Sequence, residues 1–339
     1  MNGYVKLLRS EPTLKRLSTI QLIAYFGAWF SNVAIYTLLL NLEVSPYVVA
    51  FTAALHFMAG IVQAPFSGPI IDSIKPKKLM LSLTFIEIIS TLLLLLVNDV
   101  SQLWLLFTLI FIRMSAGSFY FTTEMSLLPK ILAGSKLQKA NEIHSIIWSL
   151  SYTFGMAVSG FVVYALGIKI AFLLDASLFV ICFYLLYGLN IDITLEKSKE
   201  KLLEMMKESI RYLKKYPHAF HLMLLHSFVG LTAFDALVAL MVDRYYSMMI
   251  STALGIGLLH ASRAIGLVIG PMLFGKWINK QRLVYVFIAQ ALAIWLWAYM
   301  MSNFYLEFTT TVLGCGFIVG AIYYMWILKT QNIKDISDA

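Results

Sequence analysis

Charged residues are scarce in this sequence: they make up 13% of the 339 residues, whereas hydrophobic residues make up 60%. A typical soluble domain carries roughly 25% charged residues. The mean hydropathy of +0.80 is also far from the balance of a soluble protein. The shortage of charge therefore excludes an ordinary soluble domain and predicts a polytopic, all-α membrane protein.

Cysteines and catalytic motifs are equally rare. The two cysteines, Cys182 and Cys315, both fall inside apolar segments. We therefore expect packing roles for them, and neither a disulfide framework nor a metal cluster. The sequence has no Gly-x-x-x-x-Gly-Lys-Ser nucleotide loop and no Gly-x-Ser-x-Gly nucleophile motif. We expect no enzyme activity and no cofactor, so a pump would have to draw its energy from an ion gradient. A membrane enzyme is a distant alternative.

Apolar runs dominate what is present. Ten of them, each of about 18 to 25 residues, are long enough to cross a ~30 Å hydrocarbon core as a helix. The predicted spans are 17–40, 47–71, 79–97, 102–121, 143–166, 168–189, 220–242, 252–275, 283–301 and 304–328. The first span is longer than the core of a signal peptide and no small-residue cleavage pattern follows it, so we expect it to stay in the membrane.

Basic residues are distributed unevenly between the two sides of these spans. With the N-terminus in the cytoplasm, 22 of the 26 Lys and Arg residues fall in cytoplasmic segments, as the positive-inside rule requires. We therefore predict a multi-pass protein of a bacterial cytoplasmic (inner) membrane with both termini in the cytoplasm. This topology explains the formal charge of +8, which gives no support to a nucleic-acid partner.

The longest polar stretch, 190–218, divides the spans into six and four. Its apolar residues recur at helical spacing opposite a face of Lys and Glu, which predicts an amphipathic linker helix on the inner membrane surface. The predicted domains are a six-helix bundle over 1–189, this linker, and an incomplete four-helix bundle over 219–339. A shift of 204 residues aligns the second to fourth spans with the eighth to tenth, which indicates two parallel copies of one unit.

Three short motifs occur in the second-to-third, fourth and fifth spans. Each joins glycine to polar or charged residues: Gly68 and Asp72 followed by Lys77 and Lys78; Arg113 with Gly117; and Gly155 with Ser159 and Gly160. In their order and spacing the chain resembles the major facilitator superfamily, in the branch of exporter-like permeases for siderophores, drugs and lysophospholipids. The resemblance covers nearly the whole chain and implies two helix bundles that rock about a central site.

The resemblance implies an inner gate at the first motif, where Gly68 and Asp72 with Lys77 and Lys78 would hold the closed state. In the family, the acid that Asp72 matches braces the gate against an eleventh helix, and this sequence predicts none. We therefore expect the second bundle to lack its last two helices. Either the gate has another partner or it is impaired.

Charges at membrane depth are costly and normally face a cavity or a partner. Arg113 falls near the middle of the fourth span, so we predict that it shapes proton coupling; a structural arginine bonded to carbonyls is the alternative. Asp235 and Arg263 fall at similar depths, and we predict that they pair or that Asp235 takes up a proton as substrate leaves. A static ion pair fits equally well. Relatives often carry an acid just after the glycine matched by Gly27, but Ala28 stands here, so no family-type proton site is expected there.

Four other polar residues are interpreted as structural. We expect Glu87 to make a packing or interfacial contact, because its helix is peripheral in the family fold. Asp175, near the outer end of its span, is expected to make a capping or loop contact. His56 and His260 occupy matching positions of the two copies and lack metal-ligand spacing, so we expect packing histidines and no metal site.

A stripe on the first span predicts one wall of a substrate cavity. Trp29, Asn32 and Tyr36 are three or four residues apart and share one helix face. We expect Tyr120 to join them and Arg263 to face the same substrate. Plain helix packing would explain the same spacing.

Small residues in the second and third motifs predict close helix contacts. Gly117, Gly155, Ser159 and Gly160 lack bulky side chains, so neighbouring backbones can approach closely. The fifth-span motif resembles the antiporter motif of the family, which favours export, although packing alone would explain these residues.

Together these observations predict a proton-coupled exporter of a small amphipathic, drug-like or siderophore-like compound. Its expected partners are the substrate, protons and the lipid bilayer. A homodimer that covers the exposed face of the second helix is a further possibility. The main alternative is a truncated, non-transporting permease or a membrane interaction protein.

Overall fold

The computed structural model confirms the all-α prediction, because all regular structure among the described residues is helical. The described residues are 2–190, 202–218, 220–221, 224, 235–274, 277, 279, 281–300 and 318–326. The helices are α1 (Asn2–Ser10), α2 (Pro12–Asn41), α3 (Pro46–Ser73), α4 (Pro76–Leu93), α5 (Leu103–Ile131), α6 (Gly134–Leu166), α7 (Ile168–Tyr187), α8 (Leu202–Lys215), α9 (Asp235–Met241), α10 (Thr252–Phe274), α11 (Leu283–Met300) and α12 (318–326).

Six of these helices, α2 to α7, are long and apolar enough to cross a membrane. They correspond to the first six predicted spans, but α5 continues to Ile131 and α6 already begins at Gly134. Beyond the bilayer a helix can carry polar side chains, so the apolar run marks only its middle part. Within the other four predicted spans lie α9 to α12, and parts of 220–242 and 304–328 are outside the described residues.

Proline and glycine explain where several helices begin and end. Pro12, Pro46 and Pro76 lie in the first turns of α2, α3 and α4. A missing backbone N–H costs nothing there, because the first N–H groups of a helix have no partner within it. Gly167 alone joins α6 to α7, with a φ of 87° that favours glycine.

The chain divides into two compact units. The first contains the described residues of Met1–Met206 and Val238–Leu267, and the second those of Lys207–Leu237 and Val268–Ala339. In the first unit α2 contacts α6 and α7, α4 contacts α5 and α7, and α3 contacts α5. In the second unit α11 packs against α12 through a small apolar cluster.

The first unit has an apolar inside and an apolar outside. Its core contains Leu17, Met80 and Cys182, and Cys182 is buried as expected. Large apolar side chains such as Trp104 and Phe161 are 68% and 63% exposed. A surface of this kind is stable in lipid and unstable in water. The other cysteine, Cys315, for which a packing role was also predicted, lies outside the described residues.

Candidate functional site

Three charged side chains meet inside the first unit. Arg113 of α5 donates through Nε to Glu87 Oε2 of α4 at 3.2 Å and through Nη2 to Asp175 Oδ2 of α7 at 2.9 Å. The hydroxyl of Ser31 on α2 donates to the same oxygen of Asp175. Four spanning helices therefore converge on one ionic cluster, which we call the Arg113 triad (Glu87, Arg113 and Asp175).

The triad is closed to solvent and unbalanced in charge. The side chains of Arg113, Glu87 and Asp175 are 0%, 4% and 0% exposed. Among the described residues, Glu87 Oε1, Asp175 Oδ1 and Arg113 Nη1 have no hydrogen-bond partner. One guanidinium can neutralise only one of two carboxylates, and a second buried negative charge is very costly. The triad can therefore hold one proton without an excess of positive charge.

The position of Arg113 along α5 indicates that the triad lies at membrane depth. Arg113 is ten residues from the start of α5 at Leu103, which is about 15 Å at 1.5 Å per residue. This distance is about half of a ~30 Å hydrocarbon core. The apolar span around Arg113 predicts the same depth.

Two glycines leave the space that the carboxylates occupy. A Cβ atom at Gly27 would lie 2.7 Å from Asp175 Oδ1, and one at Gly117 would lie 3.2 Å from Glu87 Oε1. Both distances are shorter than ordinary contacts, so a larger residue would push the carboxylate aside. Gly117, predicted as a packing residue, thus borders the triad itself.

Asp175 corrects the sequence interpretation of the two acids in the triad, and Glu87 refines it. Asp175 was expected to cap a helix or contact a loop, but it lies in the second turn of α7 and is fully buried. Glu87 was expected to make a packing or interfacial contact, and the contact that it makes is an ion pair with Arg113 between α4 and α5. Arg113, Glu87 and Asp175 lie at similar depths in different spans. This agreement in depth is the sequence signal that could have predicted the ionic cluster.

Arg263 of α10 lies among aromatic side chains of α2 and α6. Its guanidinium carbon is 4.6 Å from the ring centroid of Tyr152, and Nη1 donates to the Tyr152 hydroxyl. Tyr152 stacks on Trp148 at 5.8 Å, and Trp29 meets Tyr152 edge-on at 4.5 Å. We call these four residues the aromatic–arginine cluster. Its faces and its cation suit a ligand with a flat apolar part and a polar group.

The other predicted cavity residues lie elsewhere. Asn32 Oδ1 accepts a hydrogen bond from His56 Nε2 at 2.9 Å, and Tyr36 stacks on the same imidazole at 6.3 Å. Tyr120 is buried in the apolar core that also contains Leu127 and Phe179. The stripe on α2 is thus divided: the structure joins Trp29 to Arg263 through Tyr152, whereas Asn32 and Tyr36 contact His56. A role for Asn32, Tyr36 and Tyr120 in a cavity stays a prediction.

Asp235 is the first residue of α9 and is buried. The structure gives Tyr152 as a hydrogen-bond partner of Arg263. The pairing of Asp235 with Arg263 stays a prediction.

The predicted inner gate contains an additional ionic partner. Asp72 Oδ1, at the end of α3, lies 3.8 Å from Lys130 Nζ at the end of α5. Lys77 lies over an aromatic ring of α7 at 5.6 Å. Gly68 has open space around it and Lys78 is exposed. The ionic contact described at this predicted gate joins α3 to α5.

Removing Lys130 tests whether this contact acts as a latch of the predicted gate. We expect Lys130→Ala to change the free energy of unfolding by no more than about 1 kcal/mol, as for other exposed ion pairs, because Lys130 and Asp72 are 34% and 53% exposed. The same variant should increase maleimide labelling of a cysteine placed at the end of α3 (Ser73→Cys) in membrane vesicles. Lys78→Ala is the matched control, and equal labelling in both variants would refute the latch.

Close approaches of α6 occur at its predicted small residues. A Cβ atom at Gly155 would lie 2.9 Å from the backbone oxygen of Phe26, and one at Gly160 would lie 2.6 Å from Cα of Gly257. Ser159 is fully buried next to Gly160. At these points α6 can accept α2 and α10 only because the side chains are small.

One buried acid was missed by the sequence analysis. Glu124 of α5 is 2% exposed and accepts a hydrogen bond from the Tyr25 hydroxyl at 3.1 Å. The predicted span ended at residue 121, so Glu124 was counted with the cytoplasmic loop. Its spacing from Arg113 could have revealed it, because 11 residues are about three helical turns and lead back to the same face.

Comparison with known proteins identifies one family. The model described as Major Facilitator Superfamily matches residues 17–333. A curated relative from Bacillus subtilis (strain 168), named uncharacterized MFS-type transporter YfiS, is 28% identical over 217 residues, which cover 62% of this chain and 51% of the relative. The match thus spans about half the length of that relative.

Solved structures share the fold at low identity. The nucleoside transporter NupG has a TM-score of 0.63 and 15% identity, and the match covers 94% of this chain and 83% of NupG. A bacterial homologue of the human lysosomal transporter Spinster, inward-facing and unoccupied, has a TM-score of 0.61 and 14% identity, with 93% and 74% covered. At these identities the likeness shows the fold alone.

Proposed function

The chain belongs to the Major Facilitator Superfamily, and from this premise we propose that it is a secondary active transporter that exports a small amphipathic compound in exchange for protons. Alternating access of two bundles would carry the compound past a central site. The proposal includes a cytoplasmic membrane location with both ends of the chain inside.

The Arg113 triad is the observation that carries the proton coupling. It contains two buried carboxylates and one guanidinium, so a bound proton makes the cluster neutral, and its release leaves one negative charge that favours rebinding of a proton. Asp175 of α7 lies beside Gly27 of α2. In relatives, the acid is often carried by the first span itself, just after the glycine that Gly27 matches. We propose that Asp175 supplies from α7 the carboxylate that Ala28 cannot supply from α2.

The aromatic–arginine cluster supports an amphipathic substrate. Trp29, Tyr152 and Arg263 together offer apolar faces and hydrogen-bond donors. Drug-like and siderophore-like molecules combine these features, and so does the nucleoside that NupG, a protein of the same fold, transports. The export direction is supported by the resemblance of the Gly155 motif to that of antiporters.

Efflux from cells tests the proposal. In a pump-deficient bacterium that expresses this chain, we expect a fluorescent amphipathic cation to leave the cells several-fold faster than from vector controls. A protonophore should abolish the difference, because it removes the driving gradient. Membrane insertion is confirmed in parallel by surface labelling.

Failure of efflux in the presence of a correctly inserted protein would favour the alternative, a permease that no longer transports or a membrane interaction protein. A panel that includes a nucleoside and a siderophore, both radiolabelled, separates this outcome from a narrow substrate range. Efflux that resists the protonophore would contradict proton coupling while leaving transport intact.

A further inference from the structure

Glu124 lies at the centre of a second polar cluster in the first unit. It belongs to α5 and is 2% exposed. The hydroxyl of Tyr25 on α2 donates to Glu124 Oε2 at 3.1 Å. Beside this pair, the ring of Tyr25 meets the ring of His144 on α6 edge-on at 5.8 Å, and the Gln21 amide hydrogen-bonds to His144 Nδ1.

No cation balances this carboxyl group among the residues that the structure describes. Every Lys or Arg in the described ion pairs contacts an acid other than Glu124. The titratable groups that face Glu124 are Tyr25 of α2, Tyr120 of α5 and Cys182 of α7, with His144 of α6 close to Tyr25. From α4, Met80 and Leu83 belong to the same buried core as Tyr120 and Cys182.

His144 does not fill the role of counter-ion. Gln21, whose amide is hydrogen-bonded to His144 Nδ1, is uncharged and supplies no negative charge that would stabilise an imidazolium. The imidazole is 5% exposed and lies between aromatic rings, where a positive charge would have to be desolvated.

An ionised carboxylate in this position would be nearly isolated. One phenol hydroxyl replaces only a small part of its hydration, and burial of an unpaired carboxylate is among the most costly events in a protein. The same side chain as a carboxylic acid carries no charge, and its O–H can donate while its carbonyl accepts from Tyr25.

We infer that Glu124 is a second proton-binding site, separate from the Arg113 triad and occupied by a proton in this conformation. Glu124 lies 11 residues beyond Arg113, about 16 Å along α5, towards the end that the sequence predicts to be cytoplasmic. When that end opens to water, the Glu124 carboxyl group gives its proton to water and leaves a carboxylate that Tyr25 and solvent stabilise. Closure returns the proton.

This inference rests on the proposed function for its purpose, but its test measures protonation and not transport. Infrared difference spectra of the purified protein in lipid are recorded at neutral pH in H₂O and D₂O. We expect wild type to show C=O stretching bands of protonated carboxylic acids, and Glu124→Gln to lose one such band, which is then assigned to Glu124. Glu142→Gln, which removes an acid of α6 that is hydrogen-bonded to Tyr4, should retain it.

A spectrum of Glu124→Gln identical to that of wild type would overturn the inference. If Glu124→Gln does not fold, Tyr25→Phe replaces it as the test, because loss of the phenol donor must shift the Glu124 band to higher frequency. An unshifted band in Tyr25→Phe would likewise overturn the inference. A protein with the band but without proton-driven transport would contradict the proposed function alone.

Discussion

Arg113→Ala is expected to be the most damaging single charge substitution in this protein. It leaves Glu87 and Asp175 close together without their guanidinium, in a cluster with at most 4% exposure. Removal of one partner of a buried ion pair typically costs about 3–5 kcal/mol, because the remaining charge is uncompensated. We expect a large loss of melting temperature in detergent extracts and no protonophore-sensitive efflux.

A neutralised triad separates stability from coupling. The triple variant Arg113→Ala with Glu87→Gln and Asp175→Asn contains no buried charge at this site, so its melting temperature should recover towards wild type. Efflux coupled to protons should not recover, since no titratable group remains in the triad. The assignment of proton coupling to the Arg113 triad would be contradicted by an Arg113→Ala protein as stable as wild type. A triple variant that still couples efflux to protons would contradict it as well.

Gly160→Ala should have the second largest effect. The added Cβ would lie 2.6 Å from Cα of Gly257 and 2.6 Å from the carbonyl oxygen of Ala253. Both are backbone atoms and neither can rotate away, so α6 and α10 must separate. Overpacking of this kind costs about 1–3 kcal/mol, and we expect a lower melting temperature together with slower efflux.

Gly266→Ala is the matched control on α10, because a Cβ at Gly266 meets no atom within 4 Å. Alanine is favoured over glycine in a helix by about 1 kcal/mol. The control should therefore be as stable as wild type or more so. Equal effects of the two substitutions would show that the Gly160 contact does not limit the structure.

Sequence alone predicted the helices well because membrane helices depend on long apolar runs, and these are visible without any tertiary information. The six N-terminal spans were all found. In the first five spans, the ends predicted to be cytoplasmic fell short of the helix ends, most of all at Ile131 of α5 and Gly134 of α6, since a helix that leaves the bilayer stops being apolar without ceasing to be a helix. Glu124 was missed for that reason.

The candidate site was predicted less completely. Arg113 stood out because a charge at mid-membrane is rare, but its partners depend on how α4 and α7 are rotated about their axes, which periodicity does not fix. Likewise, Trp29, Asn32 and Tyr36 share a face of α2, yet that face meets α6 on one side and α3 on the other. Lys130, the ionic partner of Asp72, is 58 residues away in the sequence, so spacing alone could not single it out.

Transport driven by an imposed pH gradient tests the central claim most directly. Purified protein is reconstituted into vesicles, the membrane potential is clamped, and movement of the fluorescent amphipathic cation is followed with gradients of either polarity. We expect the cation to move in the direction opposite to proton flow. Its movement should reverse when the pH gradient is reversed, and Arg113→Ala should abolish it. Cation movement that is independent of the direction of the pH gradient, or that is unchanged in Arg113→Ala, would contradict proton-coupled transport through the Arg113 triad.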